Sequence, residues 1–287
     1  MMAMWETFES RFIITGQLTT ITGLRIGAGG SESAQPAASD LPVLLGADNL
    51  PFIPGSSLRG VLRSQIERIV RTLEPISSTQ KYNGRGACNP VVGNEWCITN
   101  ERMKALRQEQ ERRPNPDKCF ADPDKWFAGQ VWHDTCRVCQ TFGSAWLASR
   151  VRIADLHLVD PDESRIERRD GVAIHREKET VEDKYDFETL PAGTSFELYI
   201  TAENLSEEEF GLLWLGIQEL KEGHIQVGGF KGRGLGWVKL DHVKIKGVQA
   251  KDKNALRRYL IDRQLGEVSQ NKASSCLDQL LKQMGVE

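Results

Sequence analysis

The sequence predicts an α+β fold with an antiparallel sheet. Short strand-like alternations recur along the chain, helical stripes are interleaved with them, and none of the strands has the long apolar run of a parallel sheet. The 287 residues, 39% hydrophobic and 27% charged, supply a sizeable core for one large domain or two modest ones. No apolar run approaches the roughly 18 residues of a membrane span. The acidic, Trp-containing start does not read as a signal peptide, so the expectation is a cytoplasmic protein with no membrane partner.

In chain order, Phe8, Phe12, Ile14 and Leu18 alternate with polar neighbours and give a half-buried strand over residues 8–19. A second short strand, Thr22 to Gly30, runs into glycines, and Ser31 to Ser39 is small and polar, a mobile loop. Order resumes at Asp40-Leu41-Pro42-Val43-Leu44-Leu45, and Asp48-Asn49 marks a hairpin turn. From Gly55, with Ser56 or Ser57 as the expected cap, Leu58, Val61, Leu62, Ile66, Ile69, Val70 and Leu73 make a helix with one buried face. Strand alternation returns in Val151–Leu158. Asp160 to Glu188 is charged with little to bury, and reads as an extended hairpin or arm. Phe196, Leu198, Ile200 and Ala202 form another strand. Ser206 with Glu209 is a capping box before the stripe Phe210, Leu213, Trp214, Ile217 and Leu220. A glycine-rich loop, Gly228–Gly236, precedes a strand from Trp237 to Leu240, and two helical stretches follow Lys253.

Residues 74–140 differ. Regular apolar spacing fades, Glu101–Arg113 is a charged helical excursion, and five of the six cysteines fall within 52 positions. In a cytoplasmic chain that density points to metal before disulfides. Cys136-x-x-Cys139 supplies two ligands of a tetrahedral zinc site, and Cys88 with Cys97 is the preferred completing pair, Cys119 and His133 being the reserves. Four protein ligands would make the ion structural. Buried free thiols are the alternative.

Two stretches suit phosphate. The free amides and positive dipole end of the helix at Pro54, Gly55, Ser56 and Ser57 could hold one, and Arg59 and Arg63, four apart, would extend the site along a strand. An amphipathic helix with solvated arginines accounts for the same residues. The Gly228–Gly236 loop packs five glycines with Lys231 and Arg233 into nine residues, so backbone amides and charge can approach an anion together. It is neither a Walker loop nor a dinucleotide fingerprint, since no Gly-Lys-Ser/Thr ending is present and a strand follows it. A plain hairpin turn is the competing reading. The net charge of −3 gives no global attraction to nucleic acid, so cations would have to act locally.

Taken together, Ile53-Pro54-Gly55-Ser56-Ser57-Leu58-Arg59-Gly60, Cys136-x-x-Cys139-x-x-Phe142-Gly143-Ser144 and the late glycine loop resemble the RAMP superfamily of CRISPR-associated proteins. The branch resembled is the zinc-bearing backbone subunits of type III effector complexes. The resemblance covers roughly residues 10–245 and implies a modified ferredoxin-like (RRM-like) core, a zinc-stabilised insertion and a thumb hairpin. By the same resemblance, Pro54–Arg59 grips the guide backbone, Gly229, Phe230, Lys231, Gly232, Arg233 and Gly234 form the glycine-rich loop, and Arg169–Arg176, with Ile174, His175 and Arg176, is the base of the thumb hairpin. Asp40 matches the aspartate that cuts target RNA, with Mg²⁺ or another divalent cation.

The implied partners are guide RNA, target RNA, other effector subunits and copies of this chain. The implied partition is a core of residues 1–73 and 145–248 with the hairpin near 160–190, a metal-binding insertion of 74–144, and a helical extension of 249–287. A non-catalytic RNA-binding subunit and a stand-alone endonuclease maturing precursor guide RNA are the alternatives. The latter lacks a convincing histidine near the glycine loop.

Overall fold

The computed structural model describes residues 6–27, 39–77, 81–112 and 123–286. The end of the expected second strand and nearly all of the expected loop, residues 28–38, lie outside the described residues, as does Cys119. At the centre is β1 (Ser10–Thr20), whose alternation buries Phe12, Ile14 and Leu18 on one side. The five-stranded sheet has the order β2 (Val151–Ile153), β5 (Ser195–Glu203), β1, β6 (Val238–Gln249), β7 (Gly266–Glu267), and every pairing is antiparallel. Ile14 faces Ile200 on one side and Ile245 on the other, so the buried face carries β-branched side chains in register.

Two helices, α1 (Gly55–Leu73) and α5 (Glu207–Lys221), bury Leu58, Leu62, Ile66, Val70, Phe210, Trp214 and Ile217 in the same core. The path β1–α1–β2–β5–α5–β6, with β1 flanked by β5 and β6, is compatible with a ferredoxin-like unit. Ser206 and Glu209 form the anticipated capping box.

Between α1 and β2 stand α2 (Asn100–Glu111), α3 (Pro123–Asp134) and the short α4 (Arg137–Phe142). Ile98, Met103, Leu106 and Val131 form a separate apolar cluster there, flanked by Trp126, Phe127 and Trp146. Between β2 and β5 the chain forms a two-stranded hairpin, β3 (Glu167–Ile174) with β4 (Val181–Thr189). After β6 come α6 (Lys253–Asp262) and α7 (Gln270–Gln283), and α7 packs on α5, where Trp214 Nε1 donates to Ser274 Oγ at 3.2 Å. Among the described residues no helix is long and apolar enough to cross a membrane.

Three expectations are corrected. Neither serine caps α1: Pro54 is the cap position, and the Gly55 amide donates to Asp155 Oδ1 at 2.8 Å. Gly55 is required there, because a Cβ would lie 2.2 Å from the Ile153 carbonyl oxygen. The strand after the glycine loop continues to Gln249. A bulge opposite Thr15–Gln17, with His242 at φ 54°, shifts the phase of alternation from Val238 and Leu240 to Val243 and Ile245. Finally, β2 ends at Ile153. The segment beyond it makes only single bridges, Leu156 to Ile53 and Leu158 to Phe196.

Candidate nucleic-acid interface and metal centre

The glycine loop is shaped by backbone demands. Gly228, Gly234 and Gly236 have φ of 82°, 83° and 86°, and a Cβ at Gly236 would meet the Val227 carbonyl oxygen at 2.2 Å. The Gly229 amide donates to Arg25 O at 2.8 Å and the Gly236 amide to Gly23 O at 2.9 Å, so the loop is tied to the strand leaving β1. Between these ties Lys231–Arg233 form one 3-10 turn, and Lys231, Gly232, Arg233 and Gly234 are exposed. Partial burial lowers the Lys231 pKa.

Phe230 holds the loop's charge in place. Arg233 lies over its ring at 4.6 Å and Arg25 at 4.9 Å, and Phe187 of β4 meets it edge-on at 4.9 Å. Arg233 also lies over the ring of Tyr185, 5.6 Å from its centre, and donates to its hydroxyl.

Asp186 and Glu188, which alternate with these rings, engage the segment beginning at Asp40, which runs beside β4 with a parallel bridge from Leu41 to Phe187. Asp40 N–H donates to Asp186 Oδ1 at 2.6 Å, and Asp186 N–H returns a bond to Asp40 Oδ2 at 3.0 Å. The Glu188 amide donates to Leu41 O at 3.1 Å, and Val43 N–H donates to Glu188 Oε2 at 2.9 Å. Arg168 of β3 is ion-paired with Asp186. Tyr185 and Phe187 thus hold the glycine loop while Asp186 and Glu188 hold the Asp40 strand. Asp40 itself is exposed. Ile174, His175 and Arg176 lie at the far end of the hairpin and not at its base, because Ile174 forms the last pair before the turn. There Val172, Ile174 and Val181 are exposed apolar residues, and the Glu177 and Lys178 amides donate to His175 Nδ1. Arg176 is exposed beside them.

The cysteines form a second centre. The Sγ atoms of Cys88, Cys97, Cys136 and Cys139 all lie within 4.8 Å of one another, a spread that suits the roughly 3.8 Å sulfur separations of a tetrahedral zinc–thiolate site. Cys136 precedes α4, and its sulfur accepts the Cys139 amide at 3.4 Å and the Cys88 amide at 3.5 Å. Hydrogen bonds from Cys136, Cys139 and Cys97 drive the Cys88 thiol far down, whereas burial pushes Cys136 up. His133, a reserve ligand, stands outside the cluster and pairs with Asp134 at 3.3 Å.

One polar seam of α1 faces this centre. Arg63 donates to Cys139 Sγ at 3.1 Å, Gly143 O at 2.9 Å and Glu67 at 2.7 Å, and Arg59 donates to Phe142 O. Glu67 also binds Arg71 at 3.1 Å, and Arg71 reaches Ala87 O and Cys88 O. Burial and the neighbouring charge of Arg63 lower the Arg59 pKa. For Arg63 burial acts the same way, but the Cys139 and Glu67 partners outweigh it and raise the value. Ser56 at the start of the helix is exposed, and Pro54 and Ser57 are half-buried.

A family model described as the RAMP superfamily matches residues 17–239, most of the chain, from within β1 to the start of β6. The chain belongs to the RAMP superfamily. Among curated relatives, this RAMP chain is 41% identical over 61 residues to the CRISPR system Cms endoribonuclease Csm3 of Methanothermobacter thermautotrophicus, covering 21% of this chain and 24% of that one. It is 44% identical over 62 residues to the protein of the same name from Mycobacterium tuberculosis, covering 22% and 26%, and 42% identical over 60 residues to that of Enterococcus italicus, covering 21% and 28%. The matched segments therefore span about a quarter of the length of these relatives.

Neither motif nor spacing singles out Arg25, Asp155, Tyr185, Asp186 or Glu188. For β4 a signal exists, the alternation Tyr185-Asp186-Phe187-Glu188. Arg25 is bracketed by Gly23 and Gly27 in a stretch that suggests only a strand.

Proposed function

We propose that this chain is a guide-RNA-binding backbone subunit of a type III CRISPR effector complex that cleaves target RNA paired to the guide, with Asp40 as the catalytic carboxylate. The observation that carries this reading is the meeting of the Asp40 strand and the cationic glycine loop on opposite sides of β4, in a member of the RAMP superfamily. The resemblance to endoribonucleases supports it further, within the segments matched.

In this reading Gly229, Phe230, Lys231, Gly232, Arg233 and Gly234, with Ser56 at the start of α1, face guide phosphates. The pre-oriented guanidinium of Arg233 loses little freedom on binding. The exposed apolar tip of the hairpin, with Ile174, His175 and Arg176, wedges between nucleotides and splays one out. A splayed nucleotide lets its 2′-hydroxyl line up with the adjacent phosphate, and Asp40 accepts the hydroxyl proton as general base. The 2′-oxygen bonds to phosphorus, and the bond from phosphorus to the next nucleotide's 5′-oxygen breaks, that oxygen leaving with a proton from water. Magnesium takes few protein carboxylates and completes its shell with water and substrate phosphate, which the exposed Asp40 permits; when bound it would offset charge on the phosphate. The four cysteines would hold a structural zinc that braces residues 74–144 as an insertion against α1. Other effector subunits and further copies of the chain are the proposed neighbours.

Asp40→Ala tests the catalytic assignment in the guide-loaded complex. Cleavage at the sites served by this subunit is expected to fall by about 10²–10⁴-fold, the usual contribution of a positioned base, with target binding intact. Unchanged cutting would leave the non-catalytic RNA-binding role. Cleavage of repeat RNA by the purified chain alone would instead favour guide maturation.

A further inference from the structure

We propose that Asp186 is the positioning residue of Asp40, so that the base of the hairpin fixes which carboxylate oxygen meets the substrate. This rests on the assignment of Asp40 as the reacting carboxylate. Two residues 146 positions apart exchange bonds in both directions: Asp40 N–H to Asp186 Oδ1, and Asp186 N–H to Asp40 Oδ2. The first bond fixes the backbone of Asp40, and the second fixes the rotation of its carboxylate. With Oδ2 committed to an amide, Oδ1 is the oxygen that makes no bond among the described residues, and it is the one turned to reaction.

The environment is built for holding. Asp186 is only 8% exposed, a costly place for a carboxylate that merely straps a loop, and Arg168 from the facing strand offsets its charge. Glu188 repeats the pattern two residues on, its amide and its carboxylate both taken up by the Asp40 segment. Phe187 between them packs on Phe230 of the glycine loop. A strand seated on that loop and a carboxylate seated on Asp186 are therefore referenced to one rigid segment, which is what a near-attack geometry needs.

The test uses single-turnover cleavage and target affinity in the guide-loaded complex. Asp186→Ala removes the acceptor for the Asp40 amide and is expected to slow cutting by about 100-fold, the penalty of a small misplacement, without weakening target binding. Asp186→Asn keeps an acceptor oxygen in the same place and is expected to restore most of the rate. Asp40→Ala combined with Asp186→Ala is expected to be no slower than Asp40→Ala alone. Wild-type cutting by Asp186→Ala beside a dead Asp40→Ala would overturn the positioning role, as would Asp186→Asn being as slow as Asp186→Ala. Should Asp186→Ala fail to assemble, Asp186→Glu decides: it pushes the acceptor outward by a methylene and is expected to cut slowly, and a wild-type rate would reject the proposal. Normal cutting by Asp40→Ala would reject the assignment of Asp40 itself, and the role of Asp186 with it.

Discussion

The cysteine centre and the glycine loop are held by opposite means. At the cysteines the polar groups turn inward: Glu67 is 6% exposed and joins Arg63 to Arg71, and between them these arginines reach Cys139 and the Cys88 carbonyl. At the glycine loop the ties are backbone bonds and ring contacts, and Lys231 and Arg233 are exposed residues with no carboxylate partner among the described residues. Glu67 and the largely buried Arg63 find their partners inside the protein, and such charges hold a structure together, although Arg71 itself is exposed. Exposed charges on a pre-formed turn are left for something else to neutralise. The same residue type therefore does different work at the two places, and Arg63 belongs with the first.

The largest expected effect breaks the first region outright. Cys136→Ser with Cys139→Ser should abolish bound zinc, and elemental analysis would read about one ion per chain falling to none. If a few kcal/mol are lost with the ion, the thermal midpoint drops by about 10 °C. Next comes the seam of α1. Arg63→Met should leave zinc present but weaken its retention against a chelator by about 10–100-fold, the usual cost of losing a partner behind a ligand. Zinc retention equal to wild type would separate Arg63 from the metal.

At the other region, Lys231→Ala and Arg233→Ala should weaken guide RNA binding and reduce the salt slope by about 0.7 for each phosphate no longer neutralised, with zinc unchanged. Filter binding across a salt series reads this directly, and an unaltered slope would remove these side chains from the interface.

The smallest effect is on acid stability. Burial would push the Glu74 carboxyl up, but the Arg137 and Gly86 hydrogen bonds and the charges of Arg137 and Arg85 outweigh it and hold it below the ordinary value. A depressed acid contributes stability that is present above its unfolded value and is lost as pH falls through the folded one. The C-terminal end of α1 should therefore loosen as pH falls below the ordinary carboxylate range of about 4. Amide exchange at Gly86, whose N–H bonds Glu74, would report it.

What can be read in the sequence follows from which signals are local. The apolar spacing of α1, the alternation of β1 and β5, and the capping box of α5 are set within a few residues of one another, and all are legible. Helix α3 is not, because Trp126, Phe127, Val131 and Trp132 spread around it and leave no single apolar stripe. The second half of β6 is hidden by one bulged residue that reverses its phase. Cys136 and Cys139 declare themselves by spacing, whereas Cys88 and Cys97 join them only through the fold. The bonds between Asp40 and Asp186 cross 146 positions, and no periodicity records such a meeting. The α1 arginines show another limit: spacing tells that two side chains share a side, not that Cys139, Phe142 and Gly143 lie there.

The hairpin carries one more irregularity. Its pairing is regular from Glu167 opposite Thr189 up to Ala173 opposite Asp183, and slips by a residue only at Ile174 and Val181. Changes in length near the tip can be absorbed beyond that point, so the arm is free to vary in reach while its root keeps the same faces turned to the same neighbours. A single residue deleted between Asp183 and Tyr185 would do the reverse. It would present Phe187 where a carboxylate now sits and Asp186 where a ring now packs, undoing both attachments at one stroke.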